Sequence, residues 1–395
     1  MTYHFDEIME RRGTDSMKHD ELTGAFGTAD LIPLWVADMD FRTAQPVIDA
    51  CMERARHGIY GYASMSPDFW QAAIDFQRRR HGWEITPGTI SIAPGVMPTL
   101  AELVREFSAP GDSVLIQTPV LAEFYDVIEC WGGRNVLENR LVQAPDGRWG
   151  IDFQDLEAKL RRGPKLFLIS NPQNPTGRVW TREELERAGQ LCVTYGVPMV
   201  ADEIHADLTL FGNQYTPAGT LSEPVRANTI CCFSTTKAFN LAGLQTNCVV
   251  FPRKDWQTRF ERTWKNYEIE RSTCFGVSAI RAAWQHGDEW LDQLCAYLSG
   301  NMTLLHDFLE REIPQIKMQM PEATYLAWLD CRALGLTGEA LGRFFAEEAH
   351  VGLTSGDKFQ RGLQGYMRLN VACPRSILQK ALEQMRDAVC RRLSR

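Results

Sequence analysis

Five short apolar runs recur through the middle of the chain, at 113–117, Leu166–Ser170, 198–201, Thr229–Phe233 and 247–251. Each is bounded by Gly, Pro, Asn or charge and lacks polar alternation, as strands buried on both faces do. Between them lie helical periods. Segment 97–108 puts Leu100, Leu103, Val104 and Phe107 on one face, and Thr181 with Glu184 makes a T-x-x-E capping box ahead of Leu185, Ala188 and Leu191. This alternation predicts an α/β fold with a mainly parallel sheet flanked by helices. Beyond about residue 285 the order changes. Leu291, Leu294, Leu298, Met302, Leu305 and Leu309 mark one long amphipathic helix, followed by a strand-like 324–329 and a helix around Leu341, Phe344 and Phe345. A strand at 367–371 and a last helix through Ile377, Leu378, Leu382, Met385 and Val389 complete it. The organisation expected is an N-terminal segment, 1–47, packing across domains or onto a partner subunit; a large domain, 48–285; and a smaller α+β domain, 286–395.

Composition excludes several function classes. The 395 residues are 44% hydrophobic and 23% charged, with net charge −8. No Lys/Arg block dominates, which argues against nucleic acid and anionic membranes as partners. Arg78-Arg79-Arg80 reads as the solvated end of a helix. The first twelve residues lack an apolar stretch, so they do not read as a signal peptide. No apolar run reaches the roughly 18 residues of a membrane helix. Eleven cysteines, without a C-x-x-C pair, point to reduced thiols in the cytoplasm and to no zinc site. Cys231-Cys232 reads as buried strand.

The chemistry concentrates at strand ends. Lys237 closes Ser234-Thr235-Thr236-Lys237 after an apolar run. A lysine at a buried sheet edge is paired, neutralised or used covalently, and pyridoxal phosphate uses it as a Schiff base. A helix-starting surface lysine is the plainer alternative; the hydroxyls of Ser234 and Thr236, suited to a phosphate, weigh against it. Asp202 ends another strand, where a carboxylate can hold a pyridinium nitrogen protonated, or cap a helix. Asp202-Glu203-Ile204-His205 also reads as half a metal site, but no matching ligand cluster appears elsewhere. Asn174, between Pro172 and Pro175, offers an amide to a ring oxygen that His205 can also approach; a turn asparagine and a core histidine are the alternatives. Gly95-Val96-Met97 opens a helix whose first N–H groups suit a phosphate, or is a plain turn. Arg368, amid apolar neighbours, needs an anion: a substrate carboxylate or an internal salt bridge.

In this order, these motifs resemble the fold type I pyridoxal-phosphate enzymes of the aminotransferase superfamily. The finer likeness is to the MalY/PatB group of carbon–sulfur lyases. It rests on Phe5-Asp6-Glu7-Ile8, Arg12-Gly13-Thr14-Asp15-Ser16, Trp35-Val36-Ala37-Asp38-Met39-Asp40-Phe41, His57-Gly58-Ile59-Tyr60-Gly61-Tyr62, Asp202-Glu203-Ile204-His205, Ala323-Thr324-Tyr325-Leu326-Ala327-Trp328-Leu329-Asp330 and Arg368-Leu369-Asn370. The resemblance spans essentially the whole chain. It implies that 48–285 is the cofactor domain and that Lys237 holds the cofactor covalently. It puts Asp202 at the ring nitrogen, Asn174 and His205 near the ring oxygen, and Gly95, Val96, Ser234 and Thr236 around the phosphate. Tyr62 reaches the cofactor phosphate of a second subunit, so the functional unit is a homodimer. Arg368 binds the substrate carboxylate, with further substrate contacts at Trp35, Ala37, Asp38, Tyr60 and Asn174. One departure stands out: Leu121 occupies the place of a ring-stacking tyrosine, and Tyr125 lies one register later. Leucine covers a ring apolarly but offers no phenol and no π-face.

The activity this implies is α,β-elimination from L-cystathionine or another cysteine S-conjugate, giving thiol, pyruvate and ammonia, with freed Lys237 removing the Cα proton. Transamination shares the fold and the motifs. A non-catalytic, cofactor-binding regulatory module is a third reading. It fits less well, because the motifs begin at Phe5 and no basic recognition helix is apparent.

Overall fold

The computed structural model describes residues 2–269 and 271–394. Its central sheet has seven strands: β1 (Ile90–Ala93), β2 (Ser113–Thr118), β3 (Asn135–Arg140), β4 (Leu166–Ser170), β5 (Met199–Asp202), β6 (Thr229–Phe233) and β7 (Asn247–Val250). They lie in the order β1-β7-β6-β5-β4-β2-β3. The pairings of β7 are antiparallel and the others parallel. β4, β5 and β6 are buried at every position, as a sheet covered on both faces requires. All five expected strands are present. β1 and β3 go beyond them, for different reasons. β1 is only four residues long, with buried Ser91 bonded to Glu261 and Gln257. β3 is an edge strand with polar residues on both faces, so it carries no apolar run.

The helix Val96–Phe107 opens after β1, and Arg182–Thr194 starts with the complete Thr181/Glu184 capping box. Arg78, Arg79 and Arg80 do end a helix, Pro67–His81, but all three are paired: Arg78 with Asp75, Arg79 with Asp288 and Arg80 with Asp292.

A second, four-stranded antiparallel sheet runs in the order Lys317–Met318, Leu326–Asp330, Tyr366–Asn370, Thr354–Ser355. Long helices, Asp288–Glu312 and Arg375–Leu393, pack together beside it. The two sheets meet through the loop 171–177. Gly177 has φ +71°, and a Cβ there would lie 2.3 Å from Pro321 Cβ. Its carbonyl accepts from Glu322 and Ala323 N–H, and Arg178 pairs with Glu322 and Glu184. Only glycine combines that conformation with that approach.

The N-terminal segment joins both parts. Ile32–Pro33 pairs in parallel with Val351–Gly352, Asn370 N–H donates to Leu34, and Asn240 bonds both Met39 and Phe41. Among the described residues, no helix is long and apolar enough to cross a membrane.

Candidate active site

The carboxyl ends of the parallel strands gather the chemistry. The register sets Ser170 beside Asp202 and Asp202 beside Cys232, so the loop 171–177, Asp202 and the turn carrying Lys237 leave the sheet side by side. Lys237 keeps partial solvent access, and its Nζ donates to the Ala37 carbonyl at 2.7 Å. Burial, then the charge of Arg368, pushes this amine below the ordinary lysine range, against the pull of Asp38, Glu123 and Asp202. Asp202 is buried, and its carboxylate accepts from Ile204 N–H at 3.2 Å. Burial raises its pKa to about 7, even with Lys237 opposing. Glu203, behind it, accepts from Asn171 and Ala218 N–H and is also raised to about 7, chiefly by burial.

Arg368 reaches the same place from the second sheet. Its guanidinium donates to Asn174 Oδ1 at 3.3 Å and to the Trp35 carbonyl at 3.2 Å, and lies 5.0 Å from the Phe359 ring centre. Among the described residues no carboxylate pairs with it. Burial lowers its pKa to about 10. His205 is buried, edge-on to Tyr325 with ring centres 6.3 Å apart. Burial, with Lys237 and Arg368, takes its pKa down to about 3, so the imidazole is neutral.

A hydroxyl-rich corner adjoins this group. Ser234 Oγ donates to the Thr246 carbonyl at 2.6 Å and accepts from Thr236 N–H at 3.2 Å. β7 pairs Asn247 with Ala93, which brings Gly95, Val96 and the start of their helix to this corner. Those first N–H groups have no intrahelical acceptor. Leu121 is partly exposed and packs against the cores on both faces of the sheet. Tyr125 turns elsewhere: its hydroxyl donates to Glu138 at 2.6 Å, and Arg361 covers its ring. It cannot substitute for a tyrosine at 121.

Of the residues expected at the entrance, Trp35 and Ala37 touch the group through their carbonyls. Asp38 instead turns its carboxylate to Arg11, at 2.6 and 3.0 Å. Tyr60 and Tyr62 stand apart within one chain. Tyr60 is largely exposed and bonds the Ala55 carbonyl; Tyr62 is 99% exposed. They line a surface cleft with Ile269, Arg271 and Ser272. Ser272 bonds Thr246, whose carbonyl holds Ser234, so the cleft backs onto the hydroxyl corner.

Motif reading gives no role to several residues of this site, although Tyr325 and Asn370 lie within the quoted motifs. Fully buried Lys18 pairs with Asp40 at 2.8 Å. Asn370 bonds the Val36 and Asp38 carbonyls, and Tyr325 bonds that of Ala37. The available signal was the charge of Arg11 and Lys18 flanking the motif 12–16.

The family model for aminotransferase class I and II matches residues 29–385. The chain belongs to that family. It is 40% identical to cystathionine beta-lyase PatB of Bacillus subtilis over 98% of this chain and all of that protein. It is 34% identical to protein MalY of Escherichia coli, covering 98% and 99%. The crystal structure of the PLP-bound C–S lyase from Staphylococcus hominis superposes with a TM-score of 0.91 at 31% identity, covering 98% of both chains. The resemblance read from the motifs is borne out at full length.

The residues present fit pyridoxal phosphate. Asp202 is a buried carboxylate with no cation against it among the described residues. His205 Nδ1, Arg368 Nε and Thr235 Oγ1 are buried without a partner among them. Each such atom costs about 1–3 kcal/mol while unpaired. A guest with a cationic ring nitrogen, a ring oxygen and a phosphate offers partners of the right kind.

Proposed function

We propose that this chain is a pyridoxal-phosphate-dependent carbon–sulfur β-lyase of the cystathionine β-lyase type. It converts a cysteine S-conjugate and water to thiol, pyruvate and ammonia. The observation that carries this reading is the meeting of the Lys237 amine, the buried Asp202 carboxylate and the buried Arg368 guanidinium at the carboxyl ends of the parallel strands, where burial opposes each charge. Its relatedness over full length to proteins named cystathionine beta-lyase selects the reaction within the family.

In this reading Lys237 holds the cofactor, Asp202 faces its ring nitrogen, and Asn174 and His205 face its ring oxygen. Gly95, Val96, Ser234 and Thr236 take its phosphate, and Leu121 covers the ring. When bound, pyridoxal phosphate draws electrons from the substrate's Cα and so makes its proton acidic. Arg368 grips the substrate carboxylate, for which its fork geometry is suited. Asn174, bonded to the same guanidinium, fixes that fork. Lys237 Nζ, whose burial favours the neutral amine, takes the Cα proton and delivers it to the departing sulfur. Leu121 keeps water from that side of the site. Tyr62 completes the site of a second copy, which makes the working unit a homodimer. Free cysteines throughout suit a cytoplasmic enzyme.

The test is product analysis. Incubation with L-cystathionine and no added keto acid yields pyruvate and free thiol in equal amounts. A requirement for a 2-oxo acid overturns the lyase in favour of transamination. Lys237→Ala abolishes turnover, and a fully active Lys237→Ala enzyme refutes the assignment.

A further inference from the structure

Among the described residues the Ala37 carbonyl is the one acceptor that the Lys237 amine uses, and it carries a second donor. Lys237 Nζ approaches it at 2.7 Å and the Tyr325 hydroxyl at 3.0 Å. A carbonyl oxygen has two lone pairs, so both bonds can stand together. We propose that Tyr325 is a positioning residue for the reaction, holding the Ala37 carbonyl as the rest on which the Lys237 amine works. The inference rests on Lys237 being the base.

The carbonyl is built to stay where it is. On either side of it, Asn370 Nδ2 donates to the Val36 carbonyl at 2.7 Å and the Asp38 carbonyl at 2.6 Å. The Asp38 carboxylate is gripped by Arg11, which also donates to the Met39 carbonyl. Asn240 takes the N–H and the carbonyl of Met39. Asp40 is held by buried Lys18. A segment fixed at Val36, Asp38, Met39 and Asp40 cannot swing to follow one amine. Tyr325 is itself fully buried, at the start of the strand that faces Arg368, and its backbone carbonyl accepts from Val371 N–H at 2.9 Å.

Two consequences follow for the amine. Its N–H rests on a fixed oxygen, so its lone pair has a fixed direction. The Tyr325 hydroxyl also draws on that oxygen and brings the positive end of its dipole close to Nζ, which favours the uncharged amine. The other charged and titratable groups acting on Nζ are Arg368, which opposes its protonation, and Asp38, Glu123 and Asp202, which favour it; His205 nearby is neutral. Tyr325 stays protonated, because burial raises its phenol far above the ordinary range.

The experiment is Tyr325→Phe, read first in the cofactor-free protein. The rate at which acetic anhydride labels Lys237, followed by mass spectrometry against pH, gives the titration midpoint of the amine. It moves up by about half to one pH unit, as expected for loss of one neutral hydrogen bond. In the loaded enzyme kcat at neutral pH falls about fivefold while KM stays within about twofold, since Arg368 is untouched. The acid limb of the kcat profile moves with the labelling midpoint. Replacing Tyr325 with 3-fluorotyrosine, a stronger donor of the same shape, moves the midpoint down. A midpoint that stays put in Tyr325→Phe, including one accompanied only by a lower melting temperature, overturns the proposal. So does a fluorotyrosine shift in the same direction as phenylalanine. The labelling arm needs no turnover, so it fails independently of the lyase assignment, which stands or falls on Lys237→Ala.

Discussion

Replacing Arg368 with methionine separates a ligand-binding arginine from a structural one. In the folded chain burial moves its pKa from the ordinary 12.5 to about 10. At ~1.4 kcal/mol per pH unit, the charge therefore opposes folding by about 3 kcal/mol at neutral pH. Methionine relieves that penalty at similar length. It also orphans Asn174 Oδ1, which costs about 1 kcal/mol, and removes the cation over the Phe359 ring, about 1–2 kcal/mol when desolvated. The Trp35 carbonyl keeps its bond from Thr354. The terms nearly cancel, so the cofactor-free protein changes stability by no more than about 1 kcal/mol. Catalysis does not share this balance. Removing one partner of a buried charge pair costs about 2–5 kcal/mol, or roughly 30- to 5,000-fold in kcat/KM. The assays are urea unfolding of the apoprotein and steady-state pyruvate formation. An internal ion pair would give the opposite pattern, a loss of about 3–5 kcal/mol in unfolding. That result would refute the assignment of the substrate carboxylate to Arg368.

Leu121→Tyr adds an aromatic face worth about 0.5–1.5 kcal/mol. Cofactor loss, followed by absorbance, slows about two- to tenfold, and an unchanged rate would mean residue 121 does not face the ring. For Asp202→Asn the pH dependence carries the sign. The folded carboxyl titrates near 7, above its unfolded value, so the native apoprotein holds the extra proton between about pH 4 and 7 and wild type loses stability as pH rises through that window. The cofactor-free variant therefore gains on wild type by a few kcal/mol from about pH 4 to 8, while losing activity. A flat difference in unfolding free energy would contradict the unpaired carboxylate. Tyr62→Ala and Lys237→Ala, each inactive or nearly so, recover about a quarter of wild-type activity when subunits are exchanged, because one of the two sites in each mixed dimer is whole. No recovery in a confirmed mixed dimer would refute the shared site.

Much of this arrangement is legible in the sequence because it depends on patterns that local physics enforces. Strands covered on both faces must be largely apolar, so the parallel β2, β4, β5 and β6 and the antiparallel β7 declare themselves. β3 sits at the edge, where Asn135, Glu138 and Arg140 are tolerated, and carries no such mark. Asp202 ends a strand and Lys237 and Asn174 each follow one, so their gathering on one sheet edge was foreseeable from position. Leu121 and Tyr125 are four residues apart where a loop enters a helix, and only the rotation of that turn sends Tyr125 to Glu138. Ala37 was expected at the site only through the resemblance, as a substrate contact, and nothing in the residues pointed to its carbonyl. Every residue has one, and what singles it out is the long-range meeting of 37, 237 and 325.

The pattern of displaced charge states constrains the guest more tightly than any single residue does. Burial pushes Asp202 toward its neutral acid, Arg368 and Lys237 toward their neutral bases, and His205 fully to neutral imidazole. A packed core would resolve such conflicts internally, by pairing Asp202 with Lys237 or Arg368. Here the sheet and the loop 171–177 prevent it: Lys237 rests on Ala37 and Arg368 is tied to Asn174 and Trp35. What relieves the strain must bring a cation to Asp202 and an anion to Arg368. In the proposed function, a protonated cofactor ring nitrogen would do the first and a substrate carboxylate the second. In the proposed reading Lys237, whose Nζ rests on the Ala37 carbonyl, is the group left to exchange a proton once the substrate is in place. With such a guest the three conflicts would become two ion pairs and one base, so the buried charges that oppose folding are the ones the proposed reaction would use.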